Sequence, residues 1–325
     1  MSEDVQQAAV QPRIRLGVSS CLLGEEVRFD GGHKRSGFIS DILGRYFELV
    51  PLCPEVAIGM GIPRPPIRLQ GDPERPRAVG VRDRSTDVTG KLEQYGRDMG
   101  RTHDDFSGYL LKSKSPSCGM ERVKVYGEPG TPPAASGVGI YVRSFRQQQP
   151  LLPMEEEGRL NDPALRENFI ERVYAYYRWQ QLRTTRMTPR KLVEFHAAHK
   201  LVLMAHGQEH YRALGRMVAE AGKGPIGELA DAYIARFMAA LKFRATPRRH
   251  SNVLMHLMGY LKKHLDREDK AELLELIDRY RTGRLPLIVP ITLLKHHFRR
   301  HPHPYVAGQV YLEPYPEELL LRNMI

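Results

Sequence analysis

The sequence predicts an α/β N-terminal domain with a mainly parallel sheet, followed by an all-α basic domain. Three observations carry this expectation. Short apolar runs alternate with helical or loop stretches over the first half, the rhythm of strand, crossover and strand. The second half instead repeats apolar residues every three or four positions, as packed helix faces do. Charge divides the same way. Residues 1–150 hold 21 Lys and Arg against 18 Asp and Glu, a balance of +3, while residues 181–300 hold 23 against 11, a balance of +12. At 325 residues the chain exceeds what one hydrophobic core comfortably serves. The expected domains are therefore 1–178 and 179–325, with the hinge between the acidic Glu155-Glu156-Glu157 and Arg190, near Trp179.

Each element has its own reason. Arg15–Ser19 (RLGVS) reads as a first strand and Phe47–Leu52 (FELVPL) as a second. Gly108–Lys112, Val123–Tyr126 and Gly139–Val142 read as a third, fourth and fifth, each an apolar run between turn-formers. A helix is expected from Leu92 to about Phe106, after a loop dense in Pro, Arg and Asp. In the second half Thr188-Pro189 makes a helix cap with proline at the first helical position, and Gly207 ends that helix. Leu229, Tyr233, Phe237 and Leu241 form one apolar stripe, and Val253, Leu257, Leu261 and Leu265 form another. Leu273, Leu276, Ile277 and Tyr280 continue the pattern. These stripes read as core.

Composition excludes several classes. Hydrophobic content of 41% and charged content of 27% describe a folded chain, not a disordered one. The longest apolar run, Leu285 to Leu294, carries two prolines and is too short to span a bilayer. The start, MSEDVQQAAVQPR, lacks a basic segment followed by an apolar one, so a cytoplasmic location is expected. Neither a membrane nor an obligatory protein partner is indicated. Gly59-Met60-Gly61 lacks the rest of a dinucleotide fingerprint, and AGKGP at 221–225 lacks the spacing of a phosphate loop.

Three cysteines stand out because there are no others. Cys21 follows the first expected strand, Cys53 the second and Cys118 the third, the last within KSKSPSCG. Parallel sheets bind ligands beyond the carboxyl ends of their strands, so thiols 32 and 65 residues apart would converge on one edge. All three could instead be buried small hydrophobes, but each is flanked by turn-formers where a core position would carry Val or Leu. Thiolate softness and convergent placement point to a metal. Structural zinc takes four ligands, usually in Cys-x-x-Cys pairs, and no such pair exists. Three cysteines suit an iron–sulfur cluster with one iron left open for substrate. A zinc site completed by His33 is the alternative.

Three motifs in order, VSSCLLGEEVRFDGGHK, CPEVAIGMGIPRPP and LKSKSPSCG, resemble the thiouracil desulfurase (TudS-like) family. The resemblance covers most of residues 13–178, including EEEGRLNDPALRENFIERV. The C-terminal half is similar to the YbgA-like domain often fused to that family, and the pair is similar to bacterial desulfidases acting on 4-thiouridine in tRNA. The resemblance implies that Cys21, Cys53 and Cys118 ligate a 4Fe–4S cluster, that Glu55 is the catalytic acidic residue and that Ser115 lies near the substrate. Glu55 would serve as general base for the water that replaces sulfur. A surface carboxylate paired with Arg64 is its bland reading.

Around this centre Ser20, Arg28, Asp30, Arg64, Lys112 and Lys114 are candidate substrate-binding residues, with ordinary turn chemistry as the alternative for this Gly-rich stretch and for His33 and Lys34. Ser113 and Ser117 are expected to shape the turn, with the Ser117 amide directed at cluster sulfur. The basic second domain is read as a tRNA-binding module, because phosphate neutralisation dominates nucleic-acid affinity. Arg190, Lys191, Arg244, Arg248 and Arg249 are its candidate RNA contacts. His206 and His210, four apart, are read as facing solvent or RNA, and Tyr174, Tyr176, Tyr177 and Trp179 as packing more than base-stacking. The function expected is iron–sulfur-dependent, non-redox desulfuration of thiolated uridine in tRNA, giving uridine and hydrosulfide. The alternatives are a desulfurase of free thiouracil and a non-enzymatic iron–sulfur RNA-binding regulator.

Overall fold

The computed structural model describes residues 13–128 and 130–325. The chain forms two compact units, dividing between Glu157 and Gly158 rather than at 178.

In the first unit β1 (Ile14–Ser19) leads through a single 3-10 turn, Ser20–Leu22, toward β2 (Phe47–Leu52) and the one-turn helix α1 (Pro54–Ala57). Then come β3 (Ile67–Gln70), β4 (Arg77–Gly80), α2 (Thr89–Thr102) and β5 (Gly108–Leu111). β6 (Val123–Tyr126), β7 (Ala134–Gly137), α3 (Ile140–Gln148) and β8 (Met154–Glu156) complete it. β2, β1, β5 and β8 make a parallel sheet in that order, with Leu16 opposite both Leu49 and Gly108. The chain moves one way from β1 to β2 and the other way from β5 to β8. Connections that diverge like this open a crevice at the strands' carboxyl ends. The core strand β5, GYLL, is buried at every position, as a sheet covered on both faces requires.

Two expectations needed correction. Gly139–Val142 is not a fifth strand, because Ile140 begins α3 and its apolar side chains pack against α2. β6 is a strand as expected but lies in a second, mixed sheet, order β4-β3-β6-β7, whose β3 and β4 occupy the loop read as irregular.

The second unit is helical: α4 (Pro163–Arg183), α5 (Pro189–His206), α6 (Gln208–Ala219), α7 (Ile226–Leu241), α8 (Pro247–Leu261), α9 (Arg267–Arg281), α10 (Ile288–Arg300) and the single turn α11 (Pro304–Ala307). Asp162, Thr188, Thr246 and Asp266 cap α4, α5, α8 and α9 with side-chain oxygens. Each satisfies backbone donors that the first turn leaves open. Tyr233, Phe237, Leu241, Val253, Leu257 and Leu261 are core, as their spacing implied. Trp179 does not mark a hinge. It lies inside α4, 3% exposed, against Phe195 and Tyr233. Among the described residues no helix is long and apolar enough to cross a membrane.

Candidate active site

The parallel sheet delivers the three cysteines to one place. Cys21 lies in the 3-10 turn that ends β1, Cys53 occupies the N-cap of α1 directly after β2, and Cys118 comes seven residues after β5. All three line a single cavity of about 350 Å³. Burial drives their titration: it lifts the Cys21 thiol to about 11, raises Cys53 and pushes Cys118 well above its ordinary range. The Ser19 hydroxyl acts against this by hydrogen-bonding to Cys118, while its oxygen accepts from the Lys112 amide at 3.0 Å. Cys53 points its thiol at the Val27 carbonyl, 3.8 Å away. Together the thiols are a soft donor set able to hold a metal group.

Glu55 lines the same cavity, in the first turn of α1. Its carboxylate is held at both ends. Arg64 donates from Nε to Oε2 at 2.8 Å, and Ser117 donates its hydroxyl to Oε1 at 2.8 Å. Arg64 is itself locked, with Nη1 donating to the Val27 carbonyl at 2.9 Å and the Gly61 carbonyl at 3.0 Å. The Glu55–Arg64 pair therefore exists, but not as a surface pair: the side chains are 14% and 3% exposed. Arg64 Nη2 also meets Oε2 at 2.8 Å, so the second lone pair that stays free is on Oε1.

Ser115 is one of the best-placed polar groups of the loop. Its Oγ accepts from the amides of Ser117 at 3.2 Å and Cys118 at 3.0 Å, so its own hydroxyl hydrogen remains available to a cavity ligand. The Ser117 amide is thus taken by Ser115 and not directed at a ligand sulfur. Two glycines let this turn close. A Cβ on Gly139 would stand 2.4 Å from the Ser117 carbonyl oxygen, and one on Gly119 would stand 2.8 Å from the Ser115 carbonyl oxygen.

The acids at the end of β8 anchor the same loop. Glu157 accepts from the Ser113 amide at 2.7 Å and the Ser113 hydroxyl at 2.8 Å, and it pairs with the Lys112 ammonium. Glu156 accepts from the Met120 amide at 2.8 Å. Sequence reading took Glu155-Glu156-Glu157 as the approach to a hinge. It missed these contacts, as it missed Ser19 and the Ser117 hydroxyl, because no local pattern marks a residue that bonds one 36 to 99 positions away.

Of the other candidates, Ser20, Arg28, Arg64, Lys112 and Lys114 line the cavity, as does Lys34. Asp30 does not line it. Its carboxylate accepts from the Gly32 amide at 3.1 Å and meets Arg28 at 3.4 Å, which is turn chemistry. His33 also stands outside, its Nδ1 accepting from the Arg35 amide at 3.2 Å, so the zinc alternative loses its fourth ligand. Among the described residues no three His, Cys, Asp or Glu side chains are arranged to hold one metal ion.

In the second unit the candidate RNA contacts divide. Arg190 pairs with Glu194 at 2.7 Å, Lys191 donates to Thr185 and to the Arg186 carbonyl, and Arg249 caps the carbonyl of His206 at 2.9 Å. Arg244 and Arg248 are exposed, with no carboxylate partner among the described residues. The histidines correct the sequence reading. His206 ends α5 while His210 belongs to α6, and His206 is 1% exposed and bonded to Glu171 at 2.7 Å. His196, His199, His250 and His297 are buried as well. Burial holds His196 down to about 4 and both His199 and His250 to about 3. His196, His199 and His250 are neutral core groups, and the buried His206 and His297 do not face RNA either.

Comparison with known proteins agrees with this division. A family described as 2-thiouracil desulfurase matches residues 16–157, and a protein family of unknown function, DUF1722, matches residues 200–316. The uncharacterized protein YbgA of Escherichia coli (strain K12) is 35% identical over 153 residues, which is 47% of this chain and 90% of that protein. A solved structure described as the 4Fe-4S-dependent thiouracil desulfidase TudS is 31% identical, covering 48% of this chain and 98% of its own, with a TM-score of 0.39. Through its first unit the chain belongs to the 2-thiouracil desulfurase family, and through its DUF1722 unit it is a homologue of YbgA.

Proposed function

We propose that this protein hydrolyses the C–S bond of a thiolated uridine in tRNA, 4-thiouridine first, giving uridine and hydrosulfide without net oxidation or reduction. The observation that carries the reading is one cavity lined by Cys21, Cys53, Cys118, Glu55 and Ser115. A 4Fe–4S cluster fits these donors. Three soft thiols from three separate turns line one cavity, the donor type such a cluster takes. Cys21, Cys53 and Cys118 would hold it, releasing their protons as metal ligation demands. When bound it supplies a soft Lewis acid that polarises the C–S bond.

The remaining work falls to the chain's own groups. Glu55, held by Arg64 and Ser117, accepts a proton from the water that adds to the base carbon. The Ser115 hydroxyl donates to the base and orients it. Thiocarbonyl plus water gives carbonyl plus hydrogen sulfide, which leaves at neutral pH largely as hydrosulfide and a proton. The tRNA part of the reading is supported by the +12 balance of residues 181–300 and by the free guanidinium groups of Arg244 and Arg248.

The test is anaerobic reconstitution with iron and sulfide, incubation with thiolated tRNA, and mass spectrometry of the nucleosides. Conversion of thiouridine to uridine with stoichiometric sulfide is expected. Replacing Arg244 and Arg248 by Gln should reduce the salt slope of tRNA binding by about two and leave free thiouracil turnover alone. Full activity of cluster-free or zinc-loaded protein would sink the cluster. Turnover of free thiouracil alone would sink tRNA as the substrate.

A further inference from the structure

Ser117 is completely buried, yet its hydroxyl does not serve its own turn. It crosses 62 positions to donate to Glu55 Oε1 at 2.8 Å. The rest of the residue has no freedom. Its amide is fixed by Ser115 Oγ at 3.2 Å, its carbonyl accepts from the Val142 amide at 3.3 Å, and the same carbonyl packs against Gly139 so closely that a Cβ there would be 2.4 Å away. Arg64 holds only the opposite carboxylate oxygen, Oε2. An ion pair to one oxygen leaves the carboxyl group free to turn about its last bond. A second, independently anchored donor on the other oxygen removes that freedom.

We propose that Ser117 is the positioning residue for Glu55: from the loop that carries Cys118, it sets the plane in which the carboxylate presents the free lone pair of Oε1 to the cavity. This rests on Glu55 being the base of the desulfuration reading. It adds that one rigid turn, Ser115–Cys118, both supplies a thiolate and aims the base. A hydrogen bond to a charged group is strong and directional, and misplacing a reacting group costs turnover more than binding.

The test compares Ser117→Ala and Ser117→Thr with the wild type after identical reconstitution. For Ser117→Ala, kcat should fall about 10- to 100-fold, with KM within about twofold, and with iron per chain, cluster absorption and Tm unchanged. Ser117→Thr, which keeps the hydroxyl, should recover most of kcat. A crystal structure of Ser117→Ala should show Glu55 rotated on Arg64. Unchanged kcat, or a fall in kcat accompanied by lost iron or lowered Tm, overturns the proposal, the latter by showing that Ser117 only holds the loop. Were the wild type itself inactive on every thiolated substrate, the desulfuration reading would fail. The rotation of Glu55 in the crystal would then still decide the positioning role.

Discussion

Lys114 offers a prediction with two opposed readouts. Its backbone is left-handed, with φ of +60°, a region where a residue with a Cβ pays roughly 1 kcal/mol and glycine pays none. Lys114 also lines the cavity. The neighbouring cations are committed elsewhere: Lys112 to Glu157, Arg28 to Asp30 and Arg64 to Glu55. Lys114 and Lys34 are left with no carboxylate partner among the described residues. A strained lysine kept at a cavity mouth suggests use of its charge. Lys114→Gly should therefore separate stability from activity. Relief of the left-handed strain, less the chain entropy that glycine adds to the unfolded state, leaves a net gain of about 0–1 kcal/mol. That corresponds to about 0–4 °C in Tm for a unit of this size. Loss of one phosphate contact lowers the salt slope by about 0.9, or about fivefold in affinity at 0.15 M salt. The assays are thermal melting, and kcat/KM on thiolated tRNA and on free thiouracil at two salt concentrations. Equal losses on both substrates, or a Tm that drops by several degrees, would refute the reasoning.

Two further outcomes follow from the packing. Gly139→Ala places a Cβ 2.4 Å from the Ser117 carbonyl oxygen, so the ligand loop must shift. Overpacking of this kind costs about 1–3 kcal/mol, so Tm should fall by roughly 2–12 °C and iron loading should drop; normal loading with an unchanged Tm would contradict the geometry. In the second unit, burial and the nearby charge of Glu171 raise the pKa of Glu167, whereas burial of Glu171 is outweighed by His206, which holds that carboxyl low. A group raised on folding contributes stability below its unfolded pKa, near 4.3, and loses it as pH rises through the folded value. Glu167→Gln keeps an acceptor for the Tyr315 hydroxyl, 2.8 Å away, and cannot ionise. It should raise Tm by a few degrees at pH 8 and change it little at pH 5. Equal destabilisation at both would mean that an ionised Glu167–Arg322 pair carries the stability.

The sequence was most legible where a pattern is local. β1, β2 and β6 begin and end within a residue of expectation, since alternation and flanking turn-formers are properties of a few neighbours. The cysteines' shared location was legible for a topological reason, as residues after parallel strands share one sheet edge. Ile140-Tyr141-Val142 misled because a β-branched and aromatic triplet favours a strand, and Gly139 offers no capping side chain to announce a helix. Packing of α3 on α2 overrode that local preference. The three acids at 155–157 misled by charge. Acids usually stay in solvent, but the amides of Ser113, Met120 and Glu121 and the Lys112 ammonium satisfy Glu156 and Glu157 at the end of β8. The same holds for the histidines, whose partners Tyr233, Glu171 and Tyr311 lie 35 to 61 positions away.

Burial of the three thiols has a consequence for how the site is built. With burial raising Cys21 to about 11 and pushing Cys118 well above its ordinary range, these groups without a bound metal are thiols at neutral pH, and thiols are poor nucleophiles and poor substrates for oxidation. A site that had to be ordered by its metal would expose those sulfurs until loading. The surrounding loop is held by protein contacts: Glu157 on Ser113, Glu156 on Met120, Ser115 on the Cys118 amide and Gly139 against Ser117. None of these uses a sulfur atom. On the cluster reading, metal binding would have to displace the protons of these buried thiols. Glu55 gains from the same arrangement, because the contacts that place Cys118 also place the hydroxyl of Ser117.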